Sequence, residues 1–139
     1  MNLKPLIVVI ILHVAFAFNS TESPKEIGAK WETRSQQEHP ECLKKTGATE
    51  EEVDQYYQLI RIPTRYNFKC YIDCVYRVYG FINEDGSVNK DTLVKNVEKL
   101  TDEILDFCDV KYQEKLDRCE KAYEYAYCIT HYHSIYFQE

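Results

Sequence analysis

Apolar positions along this chain recur at intervals of three and four, the period of an α-helix and not of a strand. Ile27 and Trp31 share one face, and the stripe continues weakly to Cys42 and Leu43. A second stripe runs through Val53, Tyr56, Tyr57 and Ile60, and a third through Tyr71, Cys74, Val75 and Val78. Leu93, Val94, Val97 and Leu100 make a fourth; Ile104, Leu105, Cys108 and Tyr112 make a fifth. The sixth segment, from about Leu116 to Tyr132, is apolar on two sides. Cys119, Tyr123, Ala126, Tyr127 and Thr130 lie on one, and Ala122, Tyr125, Cys128, Ile129 and Tyr132 on the other. A helix patterned in this way belongs at the centre of its fold. The pattern predicts an all-α, compact bundle of about six helices.

The punctuation agrees. Ser23-Pro24 is an N-cap followed by a proline in the first turn, Pro40 should bend or interrupt the first helix near His39, and Gly47 ends it. Thr49 and Glu52 form a capping box for the second helix, and Pro63 stops that helix. Residues 61–68 read as a connector. Asp73 and Arg77 read as an i,i+4 pair on the polar side of the third helix, which Gly80 closes. Thr101 is placed to cap the fifth helix. The run Asn83-Glu84-Asp85-Gly86-Ser87 is turn chemistry. As a calcium loop it fails, because Val88 stands where glycine belongs and Val94 where the bidentate glutamate belongs.

Ahead of the first stripe, Lys4, the apolar run Leu6 to Leu12 and the small residues of Ala15-Phe16-Ala17 have the form of a secretory signal peptide. Residues 1–17 are expected to be removed, leaving 18–139 as one helical domain. A membrane anchor would need roughly 20 apolar residues. The sequon Asn19-Ser20-Thr21 lies beside the expected cleavage point. The remaining chain carries 16 basic and 23 acidic residues, a formal charge of −7. That sign disfavours nucleic acid as a partner and offers no basic patch to anionic lipid, so no stable membrane insertion is expected. Twelve tyrosines are a large share of the apolar inventory; a phenol suits a wall that is greasy on its face and hydrogen-bonding at its tip.

Six cysteines in a short secreted chain argue for three disulfides. Cys70 and Cys74 sit one turn apart and point toward another element. Cys119 and Cys128 would be separated by about 14 Å along one helix and face opposite ways, beyond the reach of a bridge. Setting both local pairs aside leaves ten of the 15 possible pairings. Zinc is excluded by compartment and by spacing, since Cys70-x3-Cys74 with His131 and His133 matches no common site. No cofactor or metal is called for. Nucleophile elbow, zinc-protease, phosphate-loop and dinucleotide fingerprints are all missing, so the reading is not an enzyme.

The spacing Cys42-x27-Cys70-x3-Cys74-x33-Cys108-x10-Cys119-x8-Cys128, with the leader and the six-helix pattern, resembles the insect odorant-binding proteins, the six-cysteine pheromone- and general-odorant-binding family. The runs Lys69-Cys70-Tyr71-Ile72-Asp73-Cys74 and Asn83-Glu84-Asp85-Gly86 carry the likeness further. The resemblance implies the pairs Cys42–Cys74, Cys70–Cys119 and Cys108–Cys128, which together hold the helices around an apolar cavity. It also implies an extracellular carrier in sensillum lymph or another secreted fluid, transporting small hydrophobic odorants, pheromones or related semiochemicals. Such a carrier would work as a monomer or homodimer, with a chemosensory receptor as a further partner.

The wall would come from the third to sixth helices, with Val75, Val78, Leu93, Val97, Leu105, Tyr123 and Tyr127 as ligand-binding candidates. Ile135, Tyr136 and Phe137 would act as a lid from an apolar tail. His131 and His133 are candidates for a pH switch on that lid below about pH 6. The alternative function is a secreted helical signalling protein that binds another protein through the same scaffold.

Overall fold

A computed structural model of the chain describes residues 22–58, 61–112 and 117–136. Among them run seven helices: α1 (Pro24–Glu38), α2 (Glu41–Thr46), α3 (Glu50–Tyr57), α4 (Tyr66–Val78), α5 (Lys90–Asn96), α6 (Asp102–Tyr112) and α7 (Arg118–Tyr136). The extra helix, relative to the six expected, comes from Pro40. A proline pushes the preceding residue out of the helical region; His39 ends α1 at φ −134°, ψ 56°, and α2 restarts from Pro40. The helix after the connector begins at Tyr66, earlier than the sequence suggests. The only pairing of extended chain among the described residues is one antiparallel bridge, Ile82 with Val88, across the turn before α5. The expected leader and Asn19 lie outside the described residues.

Both capping boxes form. The Glu26 amide donates to Ser23 Oγ at 3.3 Å, and the Ser23 amide to Glu26 Oε2 at 2.7 Å. At α3 the Glu52 amide donates to Thr49 Oγ1 at 3.2 Å and the Thr49 amide to Glu52 Oε2 at 2.9 Å. The Glu52 carboxylate also takes both Nε and Nη2 of Arg65, each at 2.7 Å, so the cap of α3 is tied to the start of α4. Arg65 holds this carboxyl down to about 2, below its usual 4.5. The sign follows from a depressed acid: its contribution is complete above pH 4.5 and is lost as pH falls toward 2. Because Arg65 is half exposed, the pair contributes about 1 kcal/mol and not the whole shift. Glu52→Gln should therefore be about 1 kcal/mol less stable than wild type at pH 7 and indistinguishable from it near pH 2. Denaturant melts across that range check this, and a gap that persists at pH 2 would assign the effect to packing.

The apolar faces close on two clusters. The first joins Cys42, Val53, Tyr56, Tyr57, Phe68, Tyr71, Ile72 and Val75 to Ala122, Tyr123 and Ala126 of α7. The second joins Phe81, Leu93, Ile104, Leu105 and Cys108 to Tyr125, Cys128 and Tyr132 on the other side of the same helix. The two-sided pattern of α7 is thus used on both sides, with α4 against one and α6 against the other. Disulfides fasten these contacts: Cys42–Cys74 joins α2 to α4, Cys70–Cys119 joins α4 to α7, and Cys108–Cys128 joins α6 to α7. Each cysteine meets the partner that the family resemblance implies.

Asp73 departs from its expected place on the polar side. Its side chain is only 4% exposed, because Arg118 at the start of α7 crosses over it. Arg77 Nε donates to it at 3.0 Å, and Arg118 donates through Nε at 2.8 Å and Nη2 at 2.6 Å. Two guanidinium groups on one carboxylate offset its desolvation. Arg77 extends the clamp to the carbonyls of Asn83 and Glu84 in the turn.

Candidate ligand-binding cavity

Between the two clusters the side chains do not meet, and a cavity of about 230 Å³ remains. Trp31, Tyr76 and Tyr79 pack against both clusters, so the interior divides around these rings. The floor is Val75 and Tyr76 of α4, with Phe81 beyond. Ile129 and Thr130 of α7 and Ile104 of α6 form one side; Tyr56 and Tyr57 of α3 form another. Pro24, Ile27, Gly28 and Trp31 of α1 close a third, and the α5–α6 connector, Val97 to Leu100, crosses the rim. Pro24 and Lys99 are exposed and mark the mouth.

The rim is held by charge. Glu98 Oε2 accepts from the Trp31 indole at 3.2 Å and Oε1 from Lys30 Nζ at 3.0 Å. Burial alone would raise the Glu98 carboxyl, but the bonds from Lys30, its own backbone and Trp31 outweigh it and leave the group below its usual value. It stays an anion with its partners in place. Lys99 adopts a left-handed φ of 64°, a conformation that a non-glycine residue holds at some cost, and its Nζ donates to the Glu22 carbonyl at 2.8 Å. The connector is therefore tied to α1 through Glu98 and to the residue ahead of its N-cap through Lys99.

Inside, the polar atoms are phenols and one hydroxyl. Burial pushes the Tyr56, Tyr57 and Tyr76 phenols above their usual value, so near neutrality they are protonated and can donate. Thr130 Oγ1 donates to the Ala126 carbonyl at 2.8 Å. Among the described residues no group of His, Cys, Asp and Glu is gathered as a metal site.

Of the wall candidates, Val75 and Val97 border the cavity. Leu93 and Leu105 are wholly buried in the second cluster, beside the Cys108–Cys128 bridge. Val78 is 39% exposed: it occupies the last turn of α4, past the point where other helices cover that face. Tyr123 packs in the first cluster with the Lys69 ammonium 4.9 Å from its ring centre. Tyr127 is half-buried and stacks on the His131 ring at 4.5 Å, while His131 Nδ1 donates to the Tyr127 carbonyl at 3.1 Å.

The tail differs from the sequence reading, for α7 continues through Tyr136 and the backbone of Ile135 and Tyr136 is helical. The side chains of His133, Ile135 and Tyr136, and all of Phe137, lie outside the described residues, and with them the lid and its switch.

Sequence reasoning passed over α1 and α3 as walls, and with them Trp31, Tyr56 and Tyr57, as well as Tyr76, Phe81 and Thr130. Stripes state which face of a helix is buried but not which neighbours leave a gap. One signal was present: Gly28 in a helix interior, where alanine would be better by about 1 kcal/mol, marks a close approach.

A family model described as the PBP/GOBP family matches residues 25–132. General odorant-binding protein 19d of Drosophila melanogaster is 28% identical over 99 residues, 64% of this chain and 65% of its own length. General odorant-binding protein 69a of the same organism is 25% identical over 91 residues, 63% of this chain and 60% of its own length. The chain thus spans somewhat less than two thirds of each of these relatives. No solved structure matches it significantly.

Proposed function

Because the chain belongs to the PBP/GOBP family, we propose that it is an extracellular carrier of small hydrophobic molecules, which bind in the cavity bounded by α1, α3, α4, α6 and α7. The relatives' names, general odorant-binding proteins, point to odorants and related signals as the cargo. The observation that carries the reading is the cavity itself, about 230 Å³ with mostly apolar walls. A 150 Å³ apolar cavity accepts benzene, so by proportion this one suits a guest of about nine carbons. Burying nine methylenes gains about 7 kcal/mol before ordering costs, which sets the Kd at about 10 μM or weaker. The work is binding without turnover. A filled interior would have favoured the alternative, a signalling protein that docks on another protein; an interior with space for a guest favours the carrier. No helix among the described residues is long and apolar enough to cross a membrane.

Trp31 is the chain's single tryptophan and lines the cavity, which supplies a local test. Titration with nonan-1-ol as probe should shift Trp31 emission saturably, and Ile129→Phe, which narrows the cavity, should weaken binding about tenfold without lowering the melting temperature. A signal that rises linearly with probe, unchanged in Ile129→Phe, would mean surface adsorption and would remove the carrier reading.

A further inference from the structure

The walls of the cavity are fastened unequally. Disulfides tie α2 to α4, α4 to α7 and α6 to α7. Val75 and Tyr76 on one side, and Ile104, Ile129 and Thr130 on another, therefore stand on cross-linked helices. Neither α1 nor the connector from Val97 to Leu100 carries a cysteine, yet these two border the mouth. The second half of α1 is fixed by other means: Ser35 is wholly buried, Glu32 accepts from Gln58 Nε2 at 3.1 Å, and Glu38 accepts from the Tyr79 hydroxyl at 2.8 Å. Its first turns are mostly exposed, and there the connector holds it.

This seam is closed by side chains. Lys30 Nζ donates to Glu98 Oε1 at 3.0 Å and to Glu22 Oε2 at 2.8 Å, the Trp31 indole donates to Glu98 Oε2, and Lys99 Nζ donates to the Glu22 carbonyl. Among the described residues no backbone-to-backbone hydrogen bond crosses it. The connector is anchored at its two ends, where Val97 and Leu100 pack against the second cluster. Between them Glu98 and Lys99 reach across to α1, and Lys99 holds its left-handed φ of 64°. That backbone cost is carried by the closed arrangement and need not be carried by an opened one. The seam can thus part without breaking a helix or a disulfide.

We propose that guests enter and leave between the first turns of α1 and the α5–α6 connector, and that Lys30, by holding Glu98, is the latch that limits how often this seam opens. The proposal rests on the carrier reading and adds to it the route of exchange. Lys30 does not border the cavity, and its ammonium bonds only to protein groups. Those bonds oppose opening equally with a guest inside or outside. Weakening them raises the association and dissociation rates together and leaves their ratio, the Kd, where it was. A residue that shaped the bound state would instead change dissociation alone.

The test is stopped-flow mixing of the full chain with nonan-1-ol, followed by Trp31 emission for both rate constants, with calorimetry for the Kd. Lys30→Met keeps the apolar stem and removes the ammonium. It should raise both rate constants about threefold, the effect of losing a partly exposed ion pair, with the Kd unchanged. Lys30→Arg, which keeps a charged donor for Glu98, should return most of the way to the wild-type rates. Adding Lys30→Met to Glu98→Gln should raise the rates little further, because the two residues act through one bond. Unchanged rates in Lys30→Met, a dissociation rate that rises alone so that the Kd weakens, or full additivity in the double variant overturns the latch while leaving the carrier intact. Absence of saturable binding to wild type overturns the carrier reading and the latch with it.

Discussion

Replacing the α4–α7 bridge by Cys70→Ser/Cys119→Ser should lower the stability of the fold by about 4 kcal/mol, and its melting temperature by about 15 °C. The bridge closes the longest interval of the three, 49 residues, against 32 and 20 for the others. In the chain-entropy account the constraint on the unfolded state grows with that interval. The native side makes the loss harder to absorb. A pocket of about 230 Å³ leaves the side chains around it without part of their packing partners, in a class of molecules whose net stability is about 5–15 kcal/mol. A filled bundle could lose one staple and remain folded at physiological temperature; a hollow one has little reserve. The bridge also joins the helices that carry Val75 and Tyr76 on one side of the cavity and Ile129 and Thr130 on another, so the reduced variant should lose guest binding before it unfolds. Saturating guest at about 100 times its Kd should return about 2.7 kcal/mol. Thermal melts with and without guest measure both effects. A drop of less than about 4 °C would show that the bundle is held by packing alone, and the bridges would then have no role in supporting an empty interior.

The contrast between what the residues declare and what they conceal follows the range of the interactions. Capping is local: Thr49 and Glu52 lie three apart and satisfy each other whatever the rest of the chain does, so α3 begins where its sequence says it should. The two apolar sectors of α7 are also a property of one helix, and its central place between α4 and α6 follows from them. Burial of Asp73 is different. Its second guanidinium comes from Arg118, 45 residues away, and from the helix alone Asp73 with Arg77 is an ordinary surface pair. The cavity is less legible still, because it is made by what fails to touch. Leu93, Leu105 and Val75 are equally apolar and equally striped. The arrangement of α1 over the bundle leaves space beside Val75, whereas the two leucines lie buried in the second cluster. The aromatic walls were present in composition, as an excess of tyrosine, but their placement at Tyr56, Tyr57 and Tyr76 depends on the approach of α1 to α3.

Gly28→Ala should be destabilising by about 2 kcal/mol, although the substitution improves helix propensity by about 1 kcal/mol. A methyl group at position 28 would sit 2.0 Å from the Tyr57 carbonyl oxygen and 3.1 Å from its carbon. The obstacle is backbone, at the end of α3, so no rotamer change relieves it, and α1 has to move away by more than an ångström. Propensity acts on one residue; the displacement affects everything α1 touches. Ser35, wholly buried, sits 3.4 Å from the Tyr71 hydroxyl, and Trp31 packs edge-on to Tyr79 at 5.4 Å. Both contacts lengthen when α1 lifts, and the indole proton moves from Glu98 at the rim. The cavity then opens along the wall that Gly28 and Trp31 provide. Guest affinity should fall at least tenfold, and Trp31 emission should shift to the red as water reaches the indole. The two forces predict opposite signs, which makes the experiment decisive. A melting temperature above wild type would mean that propensity prevails and that α1 does not press on α3.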